Sequence, residues 1–227
     1  MKLYDRTGNE ITLSVGSNQF ENANFVFIGD SFSSPGKWQT EMQNHLNGTN
    51  LYNAAIDGCR WSNSHSEETS SYYRAGRIIE SITVTPDVIV CVLGVNDGAN
   101  NVELGTVTYS NDYTAFNRAT FAGGMQATIA RLQNTYPDAI IYVGWTPAGG
   151  NCNWTTSAAK VDEYVEIMKE VCLMYGVKYI ETRTCGITKY SDAYSDCWES
   201  GTGGGHPTEK GHIVIGKYMA RIVSSTV

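Results

Sequence analysis

From Asn24 onward one rhythm runs along the chain: short apolar runs alternate with longer stretches in which apolar residues return every three or four positions. The runs at 24–30 (NFVFIGD), 50–58 (NLYNAAIDG), 86–97 (PDVIVCVLGVND), 139–147 (AIIYVGWTP) and 177–183 (VKYIETR) read as strands. Residues 37–46, 71–82, 115–137, 157–176 and 206–223 read as helices, with Pro137 and Gly176 as stops and Pro207 near the first turn of the last. The strands are apolar nearly throughout rather than alternating, as in a sheet covered on both faces. Strand–helix alternation implies parallel strands joined by right-handed crossovers. The expected fold is α/β: a three-layer α/β/α sandwich around a mostly parallel five-stranded sheet, occupying 24–227. Residues 1–23 lack this rhythm and are expected to form a short N-terminal β extension, a hairpin turning near Thr7-Gly8-Asn9.

Bulk composition narrows the function. With 227 residues, 41% of them hydrophobic, the chain suffices for one sizeable core. A net charge of -7 without any basic run or basic helical face argues against a nucleic-acid partner. No apolar stretch approaches the roughly 18 residues of a membrane span, and the opening MKLYDRTGNE has no apolar h-region, so no leader peptide is expected in the sequence given. Charged residues make up 17%, and Asn, Ser, Thr, Gly and Tyr fill the polar quota instead, a composition that leans towards an extracellular or cell-surface setting. Of the six cysteines, Cys91 and Cys172 lie in apolar runs and read as buried thiols, while Cys59, Cys152, Cys185 and Cys197 lie in loop-like sequence. Cys185–Cys197 is the disulfide expected if one forms. No C-x-x-C pair and no His/Asp/Glu cluster at ligand spacing occurs, so neither a metal nor another cofactor is expected.

In parallel α/β sheets ligands bind beyond the carboxyl ends of the strands, and there the distinctive polar residues gather. Gly29-Asp30-Ser31 follows the first core strand, Asn53 to Gly58 the second and Gly94-Val95-Asn96-Asp97 the third, while His206-Pro207 opens the last helix. Taken singly each has a bland explanation: a helix cap for Ser31, turn residues for Gly58 and Asn96, a structural histidine for His206. No G-x-G-x-x-G or G-x-x-x-x-G-K-[ST] turn follows the first strand, which excludes a nucleotide cradle.

Together and in this order, the four elements resemble the SGNH (GDSL-type) hydrolases, over nearly the whole chain from about Asn24. That resemblance implies the flavodoxin-like fold of those esterases and lipases and a carboxylic ester substrate, with Ser31 as nucleophile and His206 as general base. It assigns the oxyanion hole to the backbone N–H groups of Ser31 and Gly58 and the side-chain amide of Asn96. Acyl transfer needs these roles: a nucleophile, a base to take its proton, and donors aimed where the oxyanion forms. Asp30 and Asp97 are expected to fix their own turns, with Asp97 hydrogen-bonding local backbone to hold Asn96. His45, His65 and His212 are expected to be structural or solvated.

The family carries an Asp three residues before its histidine, and here that position is Gly203. Three options follow: a displaced acid (Glu199 first, then Asp196 or Asp192), a Ser–His dyad oriented by a backbone carbonyl, or a degenerate site on a non-catalytic glycan-binding module. An active enzyme is the favoured option. Trp61, Tyr109, Trp145, Trp154 and Trp198 fall in the strand-end loops, with Trp61, Trp145 and Trp154 as the candidate platforms for a sugar ring. Without a long apolar loop to act as a lid or acyl tunnel, a short acyl group such as acetyl on a carbohydrate is the expected substrate.

Overall fold

The computed structural model describes residues 3–4, 10–11, 19–147, 158–185, 187, 196–199 and 205–225. Strands β1 (Leu3–Tyr4) and β2 (Glu10–Ile11) pair antiparallel in the N-terminal region; the expected turn at Thr7-Gly8-Asn9 lies outside the described residues. Strands β3 (Asn24–Gly29), β4 (Asn50–Asn53), β5 (Val88–Val92), β6 (Ile140–Gly144) and β7 (Lys178–Tyr179) form one sheet in the order β4-β3-β5-β6-β7, and every pairing in it is parallel. Helices α1 (Lys37–Leu46), α2 (Ser71–Ser81), α3 (Val95–Ala99), α4 (Phe121–Thr135), α5 (Ala158–Tyr175) and α6 (Glu209–Ser225) complete the three layers. The chain enters at β3, steps outward to β4, then crosses back to β5, so strand order reverses between β3 and β5. In an open α/β sheet that reversal creates the crevice where ligands bind.

Strand residues alternate between two separate cores. Val26, Ile28, Ile89, Cys91, Ile141 and Val143 face one side, under α2, α4 and α5. Phe25, Phe27, Val88, Val90, Val92 and Tyr142 face the other, under α1 and α6. Phe27 meets the ring of Trp38 edge-on at 5.5 Å, anchoring α1 to the second face. Among the described residues no helix is long and apolar enough to cross a membrane.

Two departures from the expected elements have local causes. The fifth strand run shortens to Lys178–Tyr179 because the residues after it turn to side-chain bonding: Thr182 Oγ1 donates to Trp145 C=O, and Arg183 is paired with Glu181 and Asp162. Helix α4 begins at Phe121, not Ala115, because Thr120 caps it, its hydroxyl accepting from Gly123 N–H at 3.2 Å.

Gly124, a helix-weakening residue by propensity, is required by packing. A Cβ there would lie 2.2 Å from Trp61 C=O, so α4 rests directly on the backbone of the loop that follows β4. We expect Gly124→Ala to destabilise the fold by roughly 1–3 kcal/mol, as overpacking does elsewhere. Urea unfolding with an unchanged midpoint would contradict this close approach.

Candidate active site

Asp30 ends β3 and is fully buried. One carboxylate oxygen accepts from Phe32 N–H at 3.0 Å and the other from the Thr146 hydroxyl at 2.5 Å. Its carbonyl accepts from Ser33 and Ser34 N–H, both at 2.9 Å. These bonds curl 30–34 into a tight turn with the part-exposed Ser31 on it. Ser31 does not cap a helix: Gly36 occupies the N-cap of α1, with a φ of 73°. The cap explanation is thereby removed.

His206 arrives from the other end of the chain. Its Nε2 lies 2.7 Å from Ser31 Oγ, and its ring packs 5.0 Å from that of the buried Phe32. The histidine was expected at the start of the last helix, but α6 begins at Glu209, with Thr208 accepting from Gly211 N–H at 3.3 Å. His206 instead sits in a short extended segment. Trp198 pairs antiparallel with Pro207, Glu199 N–H donates to His206 C=O at 3.0 Å, and Thr208 N–H donates to Cys197 C=O at 2.9 Å. Gly211 makes this possible, since a Cβ there would lie 2.2 Å from Cys197 C=O.

Gly58 and Asn96 come together at the turn after β4. Gly58 has a φ of 74° in the turn closed by Cys59 N–H donating to Ile56 C=O at 3.2 Å, a conformation that favours glycine. Ile56 N–H donates to Gly29 C=O at 3.1 Å, tying that turn to the strand that carries Ser31. Asn96, in α3, donates one amide proton to Cys59 C=O at 3.1 Å, which sets its side chain against the Gly58 turn. Asp97 does not bond local backbone as expected. Its carboxylate reaches back to Trp61 N–H, Ser62 N–H and the Ser62 hydroxyl at 2.9, 3.1 and 2.8 Å, clamping α3 to the loop after β4.

The register of the Trp198–Pro207 bridge sets the backbone of Glu199 opposite that of His206. Asp196 is engaged elsewhere. Lys210 Nζ donates to its two oxygens at 2.7 and 2.9 Å, and that bond holds its carboxyl below the usual carboxylate range. Asp192 and Gly203 lie outside the described residues, as does Trp154.

Three expectations need correcting. Trp61 and Trp145 are 0% and 3% exposed and belong to the core under α4 and α5, so neither ring offers a face to a sugar. Gly94 explains the inward turn of Trp145: at its φ of 134° it has no Cβ to strike the indole, which one would meet at 2.4 Å. Trp198 is likewise buried. Cys185 and Cys197 are buried free thiols rather than a disulfide. Cys185 Sγ turns to Pro147 C=O at 3.4 Å, and burial pushes its thiol up to about 11. Cys152 lies outside the described residues. His45 pairs with Glu41 on α1, His65 is exposed, and His212 is buried, with burial lowering it to about 4. Among the described residues, no group of three His, Cys, Asp or Glu side chains is placed to hold a metal ion.

Thr146 is a site residue that sequence reasoning missed. Fully buried after β6, it donates to Asp30 and accepts from Val95 N–H at 3.3 Å. Its position in the WTP that ends a strand run was the available signal, yet no motif distinguishes it from a turn threonine.

Comparison with known proteins places the chain in a family and a fold. The model of the GDSL-like Lipase/Acylhydrolase family matches residues 13–214. A search of curated proteins finds no sequence match. Among solved structures, a Lactobacillus plantarum protein is similar at a TM-score of 0.70 and 19% identity, covering 91% of this chain and 99% of that one. A Bacteroides uniformis protein assigned to the GDSL-like lipases gives 0.60 and 22%, covering 92% and 99%. A Corynascus thermopiles carbohydrate esterase family 2 enzyme with its carbohydrate binding domain gives 0.59 and 16%, covering 96% and 69%. At such identities these structures establish the shared fold.

The two buried carboxyls generate a pH prediction. Desolvation raises Asp30 to about 7, against the opposing bonds from Thr146 and Phe32, and the nearby charge of Asp97 adds to the rise. Desolvation raises Asp97 to about 6. A raised carboxyl pKa means the folded state holds a proton that the unfolded state has released. Stability from Asp30 is therefore present below its unfolded pKa near 4 and is lost as pH climbs towards 7. The unfolding free energy of wild type minus that of Asp30→Asn should fall between pH 4 and 7, by at most about 1.4 kcal/mol per unit, then level off. Urea titrations at four pH values across this range measure it, and a difference that rises with pH would contradict the desolvation account.

Proposed function

The chain belongs to the GDSL-like lipase/acylhydrolase family, and on that premise we propose that it is a serine esterase acting on a carboxylic ester, with Ser31 as nucleophile. The observation that carries the reading is the 2.7 Å contact between His206 Nε2 and Ser31 Oγ. His206 Nε2 takes the Ser31 proton as Oγ attacks the ester carbonyl. The tetrahedral oxyanion is held by the N–H groups of Ser31 and Gly58 and by the second amide proton of Asn96. His206 then protonates the leaving alkoxide, releasing the alcohol and leaving Ser31 acylated. Water, deprotonated by the same imidazole, attacks the acyl carbonyl; the bond to Ser31 Oγ breaks, His206 returns the proton to Oγ, and the carboxylic acid leaves.

Glu199 is the proposed acid. Its support is the cross-strand position opposite His206, together with the commitment of Asp196 to Lys210. A carboxylate there would fix the tautomer and stabilise the imidazolium.

For the substrate, the reading is a short acyl group, acetyl first, on a carbohydrate. Its support is the similarity in fold to a carbohydrate esterase family 2 enzyme. Trp154 is retained as the proposed aromatic contact. An extracellular or cell-surface setting, proposed on the neutral polar composition, suits a glycan ester.

Hydrolysis of p-nitrophenyl acetate, butyrate and octanoate by wild type and Ser31→Ala tests the reading. We expect acetate to give the highest kcat/KM and Ser31→Ala to lose at least about 10³-fold. Wild type no faster than the mutant on every ester would point to the non-catalytic glycan-binding module instead. Glu199→Gln should lower kcat by about 10²-fold or more with KM little changed, as loss of the orienting acid does in triads. A change below threefold would mean that a backbone carbonyl, not Glu199, orients His206.

A further inference from the structure

At the opposite edge of the sheet from Ser31, three elements enclose a cleft of about 360 Å³, within the usual size range of small-ligand sites. Helices α4 and α5 run antiparallel to the strands, so their C-terminal ends lie at the strands' N-terminal edge. The cleft is bounded by Gln133 and Asn134 at the end of α4, Leu173 to Gly176 at the end of α5, and Tyr109 and Asn111 in the loop before α4. None of the lining residues is charged. Of the six exposed large hydrophobic residues among those described, three (Tyr109, Leu173 and Met174) gather here, which marks an interaction surface rather than scattered exposure.

The chemistry of the lining selects the ligand. Tyr109, expected among the strand-end loops, lies instead at this opposite edge; it is 62% exposed, yet its ring is held in place. It packs 5.7 Å from Tyr175, and its hydroxyl donates to Asn111 Oδ1 at 2.5 Å. Its loop is pinned by Tyr175 Oη donating to Ser110 C=O at 3.2 Å and Asn134 Nδ2 donating to Asn111 C=O at 3.1 Å. Gln133 Nε2 donates to Tyr175 C=O at 2.8 Å. Three amide groups keep unused capacity among the described residues: Asn111 Nδ2 as donor, Gln133 Oε1 and Asn134 Oδ1 as acceptors. A fixed aromatic face beside carboxamide donors and acceptors, in an uncharged lining, complements a ligand with C–H faces and hydroxyl edges.

We propose that this cleft is a second, non-catalytic binding site for a neutral oligosaccharide chain, with Tyr109 as its stacking platform. It stands apart from the ester chemistry at Ser31 and is read by binding alone. Native affinity electrophoresis of the full chain in gels containing soluble xylan, glucomannan or hydroxyethylcellulose measures it. At least one of these polymers should retard the wild type. Tyr109→Ala should weaken the interaction about tenfold, the scale of one aromatic contact, and Asn134→Ala should weaken it less. Both variants should hydrolyse p-nitrophenyl acetate at the wild-type rate, which separates loss of this site from loss of fold or of the esterase site. No retardation in any of the three gels, or equal retardation of wild type and Tyr109→Ala, would overturn the proposal. So would retardation only by a charged polygalacturonate, or a wild-type dimer in sedimentation that Leu173→Glu splits, because the cleft would then serve another ligand or a second copy.

Discussion

A single buried hydroxyl joins the three strand ends on which the site is built. Thr146, just past β6, donates to the carboxylate of Asp30 after β3 and accepts from the N–H of Val95 after β5. Parallel strands diverge into separate loops at their carboxyl ends, and nothing in the sheet ladder itself fixes those loops relative to one another. The Thr146 bonds do so at the reversal of strand order, where the crevice opens. Asp30 spends its remaining bonds curling the Ser31 turn. The cost is a carboxyl buried out of water, which desolvation raises to about 7, so near neutrality its protonated and charged forms are comparably populated.

Around that tie, glycines let backbones approach where side chains would hold them apart. Gly124 seats α4 on the backbone of Trp61, in the loop that also carries Gly58. Gly211 brings residues 197–199 against the first turn of α6, and the ladder formed there presents His206. Gly216 lets α6 lie against α1, since a Cβ would come 2.6 Å from Trp38 C=O. The histidine, 175 residues from the serine in sequence, is thus aimed by packing that begins two helices away.

The fold was legible because a sheet buried on both faces writes apolar runs, and the helices between them carry their own period. Ser31, Gly58, Asn96 and His206 stand out in the sequence because strand ends in this topology converge, and the structure brings His206 to Ser31 and Asn96 to the Gly58 turn. Trp61 and Trp145 were misread for the same reason: a tryptophan in a strand-end loop looks available, and only α4 folding over one and Gly94 yielding room for the other turn them inward. The partners of Asp97 lie 35 and 36 residues away, beyond any local pattern. Thr146 has no motif at all. The place of His206 outside its helix depends on a two-residue pairing with 197–199, too short for periodicity to reveal.

Covalent labelling tests the central claim, that packing from distant parts of the chain has made Ser31 a nucleophile. Wild type and His206→Ala would be treated with a fluorophosphonate and the modified residue located by peptide mass spectrometry. The account predicts rapid, stoichiometric modification of Ser31 in wild type and little in His206→Ala over the same interval. Equal labelling of the two proteins, or a label on Ser33 or Ser34 in place of Ser31, would contradict it.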